Sequence, residues 1–428
     1  MIDIVSFRTE GLGDSTYLVL YAGRAIVVDP QRDIERFLDR LGDHQPRWVL
    51  ETHLHNDYVS GGLGLARHTG AELVMPASAA PAFRHTPAFH GEDLIDGEIT
   101  IRPLHTPGHT PEHTSYVIIA EGEEKAVFTG GSLLVGSAGR SDLLGPDRAD
   151  SLARLQYGSV TRLARLPEQT GLYPTHGAGS FCTAAAAGDS TSTIGDEKRT
   201  NPVLSHPDED SFVASHLSDL EPYPDYYARM GPINLSGPPA LPDDSPPRIA
   251  LADVEPGTPV VDARPADEFA AGHLPGTLNI PLTDQFGTWF GWLLDGDVRP
   301  VLVTAGTEAT AEAVTQLARL GIDGLPGVVE PAESGGPNRT RTARLSDLSG
   351  AGQILDVRSP LERADTASDR TVHRYLPDLR SGLPPEIDPA APVWIMCATG
   401  FRSAIAASML QAQGVDAIPV LDAGVDDL

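Results

Sequence analysis

Two stretches in the carboxyl-terminal half of the sequence repeat each other at a fixed interval. Asp262-Ala-Arg264 follows the apolar run PVV, and Asp356-Val-Arg358 follows QIL. Gly306 and Gly400 each come after a second apolar run, PVLVT and PVWIM, and each opens a helical pattern. Both pairs lie 94 residues apart (356 − 262 and 400 − 306). A constant offset at two landmarks, each in a strand–loop–helix setting, marks two copies of one α/β unit. The copies are expected over 247–330 and 341–428, joined by the Gly- and Pro-rich ESGGPNRT. At about 150 residues per domain, 428 residues hold roughly three domains, which leaves one more ahead of the repeat.

Residues 1–200 read as alternating short strands and helices. AIVVDP (25–30), RWVLET (47–52) and KAVFTGG (125–131) are apolar strands, each ending where polar motifs begin. Such strand ends are where α/β folds place their sites. Residues 201–246 are rich in Pro and acids and read as a connector with one helix around 210–220. Tyr223, Tyr226 and Tyr227 suggest that this connector packs on a neighbour.

The net charge of −28 repels a phosphate backbone and anionic lipid alike, so neither nucleic acid nor a membrane is an expected partner. No apolar run reaches the roughly 20 residues of a membrane span, and the start lacks the basic and apolar regions of a secretory signal. Two cysteines in the whole chain argue against a disulfide framework and for a reducing cytoplasm. A homo-oligomer is compatible with the sequence.

His53-Leu-His55-Asn-Asp57-Tyr58 comes straight after a strand. Thr106-Pro-Gly-His109 and Pro174-Thr-His176-Gly follow downstream. A His-x-His-x-Asp turn puts two imidazoles and a carboxylate on one loop, and a later Pro-Gly-His turn can bring a third imidazole to the same cation. A lone histidine is more often a satisfied core or surface residue, which is the reading for His44, His68, His85, His90, His206 and His216. Five metal-type side chains on three strand-end loops are read instead as a metal site.

Over about 1–200 these residues resemble the metallo-β-lactamase superfamily. Asp29, the HxHxD run, TPGHT, FTGG and the PTHG turn match its pattern in order. ETHLHNDYVSGG, TPGHTPEHTSY, FTGGSLLVGSAGRSDL and HGAGSFC are similar to the persulfide dioxygenases of that superfamily, and specifically to their fusions with rhodanese domains. The resemblance implies an αββα fold followed by two three-layer α/β rhodanese-like domains. It also implies one Fe(II) per chain held by two His and one Asp, on positions equivalent to His53, His109 and Gly131. The sequence departs from the pattern twice: Tyr58 replaces the second-metal His, and Gly131 stands where the Asp is expected. His53, His55 and His109 are the expected ligands, with water or Asp57 as other ways to fill the third place. Zinc would also suit three imidazoles. Asp57 and His176 are expected as supporting groups or weak ligands. Arg140 is either an ion-pair partner or an anchor for an anionic substrate. Cys182, six residues after His176, reads as a sulfur-carrying or substrate-contacting thiol, against a packed small residue.

The strand VWIM leads into Cys397-Ala398-Thr399-Gly400-Phe401-Arg402 and then into the helical pattern SAIAASMLQAQG. A cysteine at a helix N-terminus faces unpaired N–H groups that favour a thiolate or persulfide anion. Arg402 is expected to add a full positive charge. The C-x4-R spacing makes a cradle for one sulfur atom, and with Asp356-Val-Arg358 upstream it resembles a rhodanese domain. The 94-residue offset puts Val303 at the Cys397 position and Glu308 at the Arg402 position, so the first copy reads as non-catalytic. The expected function is sulfide and persulfide detoxification. A small-molecule thiol persulfide and O2 would give sulfite, and sulfane-sulfur transfer at Cys397 would give thiosulfate. The alternatives are a zinc-dependent thioester hydrolase fused to a sulfurtransferase, and a sulfurtransferase with a non-catalytic binding domain.

Overall fold

The computed structural model describes residues 2–184, 190–218, 220–241, 245–330 and 336–428. The first three residues of the ESGGPNRT linker lie outside these. The chain divides into two compact units, residues 1–241 with 318–321, and the remainder.

The first unit is built on two six-stranded sheets. One holds β1 (Asp3–Thr9), β2 (Asp14–Tyr21), β3 (Arg24–Val28), β4 (Gln45–Leu50), β5 (Glu72–Pro76) and β6 (Thr86–Ala88) in sequence order. Its helices are α1 (Glu35–Leu41) and α2 (Gly62–Thr69). The other runs through β7 (Leu94–Asp96), β8 (Ile99–His105), β9 (Thr114–Ala120) and β10 (Glu123–Gly130). After a small hairpin of β11 (Leu133–Leu134) and β12 (Ser137–Ala138), β13 (Gly171–Pro174) and β14 (Ser192–Thr193) complete it in the order β14-β13-β10-β9-β8-β7. Three apolar layers follow from strand alternation. Tyr17, Val19, Ile26, Trp48, Ile101, Tyr116, Ile118 and Phe128 fill the space between the sheets. Leu18, Val27 and Val49 face outward and meet Leu63, Leu65 and Ala66 of α2. On the far side Val117, Val127 and Leu172 meet α3 (Pro146–Leu163), Ile194 at the start of α4 (Ile194–Thr200), and Phe212 and Val213 of α5 (Glu209–His216). The order is helix, sheet, sheet, helix, as the sequence led one to expect.

The stretch 201–246 is folded over most of its length. The expected helix is α5, capped by the Asp208 side chain on the Ser211 N–H. A second helix, α6 (Tyr227–Ser236), was not expected, because Pro232 inside it hides the pattern. Tyr226 and Tyr227 are both buried.

The second unit carries two parallel four-stranded sheets with the same plan. In the first, β15 (Val260–Asp262), α7 (Ala266–Ala271), β16 (Leu278–Asn279), α8 (Phe286–Leu293), β17 (Val301–Val303), α9 (Thr307–Arg319) and β18 (Val328–Val329) give the order β16-β15-β17-β18. In the next, β19 (Ile354–Asp356), α10 (Pro360–Asp365), β20 (Val372–His373), β21 (Val393–Met396), α11 (Phe401–Ala412) and β22 (Ala417–Pro419) give β20-β19-β21-β22. The repeated Asp-x-Arg explains itself. Arg264 pairs with Asp262 and donates to the carbonyl of Gly272; Arg358 pairs with Asp356 and donates to the carbonyl of Thr366. Each guanidinium ties a strand end to the end of the following helix. The two sheets also meet: the Asn279 N–H of β16 donates to Ser408 Oγ of α11 at 2.9 Å, and Thr340 bonds Gln411.

Candidate metal centre and cysteine loop

The centre lies where the ends of β3, β4, β8, β10 and β13 converge. Asp29, just past β3, sits at φ +51° in the left-handed region. Its fully buried carboxylate accepts the Thr52 N–H at 2.7 Å, the Thr52 hydroxyl at 2.7 Å and the Thr175 hydroxyl. It therefore joins the loop after β4 to the loop after β13, and those loops carry His53, His55 and His176.

The imidazoles form one buried cluster. The His53 ring centroid lies 4.1 Å from that of His55, 5.0 Å from His109 and 5.3 Å from His176. Each ring has one nitrogen fixed from outside. His53 Nδ1 is 2.8 Å from the Thr52 hydroxyl, and His109 Nδ1 donates to the Arg140 carbonyl at 2.8 Å. His55 Nε2 lies 3.1 Å from Glu51, 3.3 Å from Asp29 and 3.0 Å from the Tyr58 hydroxyl. His176 Nδ1 is held by Asp14 at 2.8 Å, and its Nε2 lies 3.4 Å from His53 Nε2. Among the described residues, His55 Nδ1 and His109 Nε2 have no hydrogen-bond partner, although both residues are fully buried. Buried, unpaired imidazole nitrogens whose opposite nitrogens are anchored are the arrangement a bound cation requires. His53, His55 and His176 bring ring nitrogens within 4.8 Å of one another, and His109 and His176 do so with Cys182 Sγ, so the pocket fits a cation with His176, expected only as a supporting group, common to both sets. Burial, aided by the neighbouring imidazoles, holds His53 and His109 well below the ordinary histidine value, so each is neutral and able to ligate. Burial also opposes protonation of His55, but Asp29 and Glu51 overcome it and raise its value.

Asp57 lies inside the cluster with neither oxygen hydrogen-bonded. Burial and the nearby Asp14 push its carboxyl up to about 8, and burial pushes Asp14 up to about 7. Tyr58 stacks on His55 with ring centroids 4.3 Å apart, so its phenol fills the space beside that imidazole.

Gly131 has a steric explanation. A Cβ there would lie 2.2 Å from Cδ2 and 2.7 Å from Nε2 of His109. The His109 ring occupies the place from which a residue 131 carboxylate would reach the centre.

Arg140 is an ion-pair residue. Its guanidinium makes two 2.7 Å bonds to Asp142 and one to the Phe181 carbonyl, and it lies over the Tyr223 ring. Its buried charge faces Asp142, which leaves the anion-anchor reading without support. The Arg140 N–H also holds the Cys182 carbonyl at 2.9 Å. Cys182 is fully buried, with Sγ 3.9 Å from the Tyr227 hydroxyl.

Three contributors escaped the sequence reading. His113 is packed on His53 at 5.1 Å, but both its nitrogens are satisfied, by the Gly131 N–H at 2.9 Å and Thr106 at 2.9 Å. It shapes the pocket and is no ligand. Asp14 lies 162 residues from the His176 it orients. Asn234 of α6 donates to the carbonyls of His55 and Tyr58 and accepts the Ser60 N–H. Only His113, inside the quoted TPEHTSY, had a local signal.

At the other candidate site Cys397 ends β21 and is buried. Its Sγ lies 3.1 Å from the Gly400 N and 3.4 Å from the Thr399 N. Ala398 and Thr399 are exposed and Phe401 half-buried, so the loop forms an open rim. Gly400 sits at φ +92°, and a Cβ there would strike the Leu421 carbonyl at 2.6 Å. Arg402 corrects the expectation of a free positive charge: Glu362 grips it with two bonds of 2.5 and 2.6 Å. The carboxylate comes from α10, whose capping box with Ser359 fixes it there.

Known proteins resemble two stretches of this chain. The family model of the metallo-beta-lactamase superfamily matches residues 9–176, and that of the rhodanese-like domain matches 248–329. A probable metallo-hydrolase of Burkholderia pseudomallei is 32% identical over 195 residues, 39% of this chain; the chain spans only 64% of that protein's length. The hydroxyacylglutathione hydrolase GloC of Haemophilus influenzae is 30% identical over 204 residues, 42% of this chain and 87% of that protein. Among solved structures, a metallo-beta-lactamase from Staphylococcus aureus aligns with a TM-score of 0.70 at 27% identity, covering 77% of this chain and 99% of that one.

Proposed function

Because the chain belongs to the metallo-beta-lactamase superfamily and carries a rhodanese-like domain, we propose that it is a metal-dependent enzyme of sulfur metabolism. Its substrate is the persulfide of a low-molecular-weight thiol, and its products are sulfite and thiosulfate. The observation that carries this reading is the presence, in one chain, of a buried pocket of unpaired imidazole nitrogens and a cysteine cradled by N–H groups.

The oxidation balances as RSSH + O2 + H2O giving RSH, sulfite and two protons. The ring nitrogens of the His53, His55, His109 and His176 cluster would hold the metal, which when bound would supply the affinity for a soft sulfur anion and for O2. Asp29 and Glu51 orient His55, the Arg140 carbonyl orients His109, and Thr52 orients His53. The surrounding burial excludes bulk water. We assign 341–428 as a second rhodanese-like domain on its repeated strand order and Asp-x-Arg pair. There Cys397 carries one sulfane sulfur. Sulfite attacks that outer sulfur, the S–S bond breaks, thiosulfate forms and the Cys397 thiolate leaves. The Thr399 and Gly400 N–H groups stabilise the anionic sulfur before and after transfer.

One observation favours a second reading. The similarity to GloC covers most of that hydrolase, and an imidazole-rich donor set suits zinc. In that case the first unit hydrolyses a glutathione thioester. Tyr58, which fills the space beside His55, weighs against the two-metal hydroxide such a hydrolase uses. Anaerobic purification, metal analysis and O2 uptake on adding glutathione persulfide or coenzyme A persulfide decide between them. Uptake with sulfite or thiosulfate formed is the expected result. Hydrolysis of a hydroxyacylglutathione with no O2 consumed overturns it.

A further inference from the structure

The position equivalent to a carboxylate ligand is Gly131, and beside the carboxylates of Asp57 and Asp14 near His176 the structure brings a thiol to the centre. A ring nitrogen of His109, a ring nitrogen of His176 and Sγ of Cys182 all lie within 4.8 Å of one another, and all three residues are fully buried. His109 Nδ1 and His176 Nδ1 are already committed to the Arg140 carbonyl and to Asp14. Each ring thus has its Nε2 to offer, and His109 Nε2 is without any partner. Among the described residues, the hydrogen-bond contact of Cys182 Sγ is a weak one, 3.9 Å from the Tyr227 hydroxyl.

The backbone of Arg140 links these donors. Its carbonyl fixes the His109 ring and its N–H fixes the Cys182 carbonyl. The Arg140 guanidinium holds the Phe181 carbonyl, and the Ser180 hydroxyl accepts the Cys182 N–H.

We infer that Cys182 is a metal ligand: its thiolate takes the place of the absent carboxylate and, with His109 and His176, makes a nitrogen–sulfur cation site. Metal entry displaces the S–H proton to solvent, and the thiolate supplies the single negative charge that a residue 131 carboxylate would have given. Thiolate is a soft donor, so the site favours a thiophilic divalent cation more strongly than an oxygen ligand would. The inference rests on the metal-centre reading above and is independent of the reaction assigned to it.

The test uses the full chain with Cys397→Ser, so that Cys182 is the one thiol present, loaded with Co(II). A thiolate ligand gives an intense near-ultraviolet sulfur-to-cobalt charge-transfer band; imidazoles and carboxylates do not. The expected result is that band at about one cobalt per chain, absent when Cys182→Ser is added. The spectrum of the Cys397→Ser protein alone carries the test, should the double variant fold poorly. Cobalt bound in stoichiometric amount without the band overturns the role of Cys182 and leaves the metal centre standing. No cobalt bound overturns both.

Discussion

Gly131→Ala adds one methyl group at a place where the structure has no room for it. The new Cβ would lie 2.2 Å from Cδ2 of His109, whereas ordinary contact begins near 3.4 Å, so the ring must withdraw by about 1 Å. His109 is fully buried, and its Nδ1–H is held by the Arg140 carbonyl at 2.8 Å. Residue 131 lies outside the left-handed backbone region, so the effect is steric alone. Overpacking of this kind costs about 1–3 kcal/mol, and breaking a buried hydrogen bond adds about 1 kcal/mol. We expect a loss of about 3 kcal/mol from the first unit. With a urea m-value of about 3 kcal/mol per molar, the midpoint falls by about 1 M. Hydrogen exchange of β9 and β10 across a urea series, on metal-free protein, reads this unit separately from the rest of the chain. Gly131→Asp adds a buried carboxylate to the same clash, so metal content should fall rather than rise. A Gly131→Ala protein with the wild-type midpoint and full metal content would refute the claim that His109 occupies the space above residue 131.

Asn234→Ala removes the amide that ties the His55 and Tyr58 carbonyls to the Ser60 N–H; metal affinity should drop about 10- to 100-fold in competition with a chelator. Cys397→Ser should abolish sulfur transfer from thiosulfate to cyanide while metal content stays unchanged. The Glu362 carboxyl sits below its ordinary value of 4.5: burial works to raise it, and the Arg402 ion pair and the Ser359 cap outweigh that. Its contribution to stability is therefore fully present above the ordinary value and is lost as pH falls through the lowered one. The difference in urea midpoint between wild type and Glu362→Gln should be largest at neutral pH and vanish in acid.

The sequence disclosed those parts of the site whose partners are near in the chain. His53, His55 and Asp57 share one turn, and Cys397 and Gly400 share one loop, so spacing alone placed them together. The 94-residue offset disclosed the repeat because two sheets of equal strand order reuse the same Asp-x-Arg tie. Asp14 and Asn234 were not legible: each acts on a histidine or a histidine loop through a contact that only folding creates. The misreading of Arg402 has the same cause. Its position relative to Cys397 is local, but Glu362, which neutralises it, arrives from another helix 40 residues away. Gly131 showed what was missing without showing that an imidazole had moved into its place.

The bond between Asn279 and Ser408 gives the silent copy a burden of its own. Ser408 belongs to the helix that begins at the sulfur cradle, so the strand end carrying Asn279 braces the frame on which Cys397 sits. The loop following Val303 holds no cysteine, whereas β16 is held by this contact. A scan of every substitution through both copies should therefore find tolerance at the exposed Ala305, and intolerance at Ser408 and to proline at 279, which would remove the N–H that Ser408 accepts. That is the reverse of what an inert relic would show.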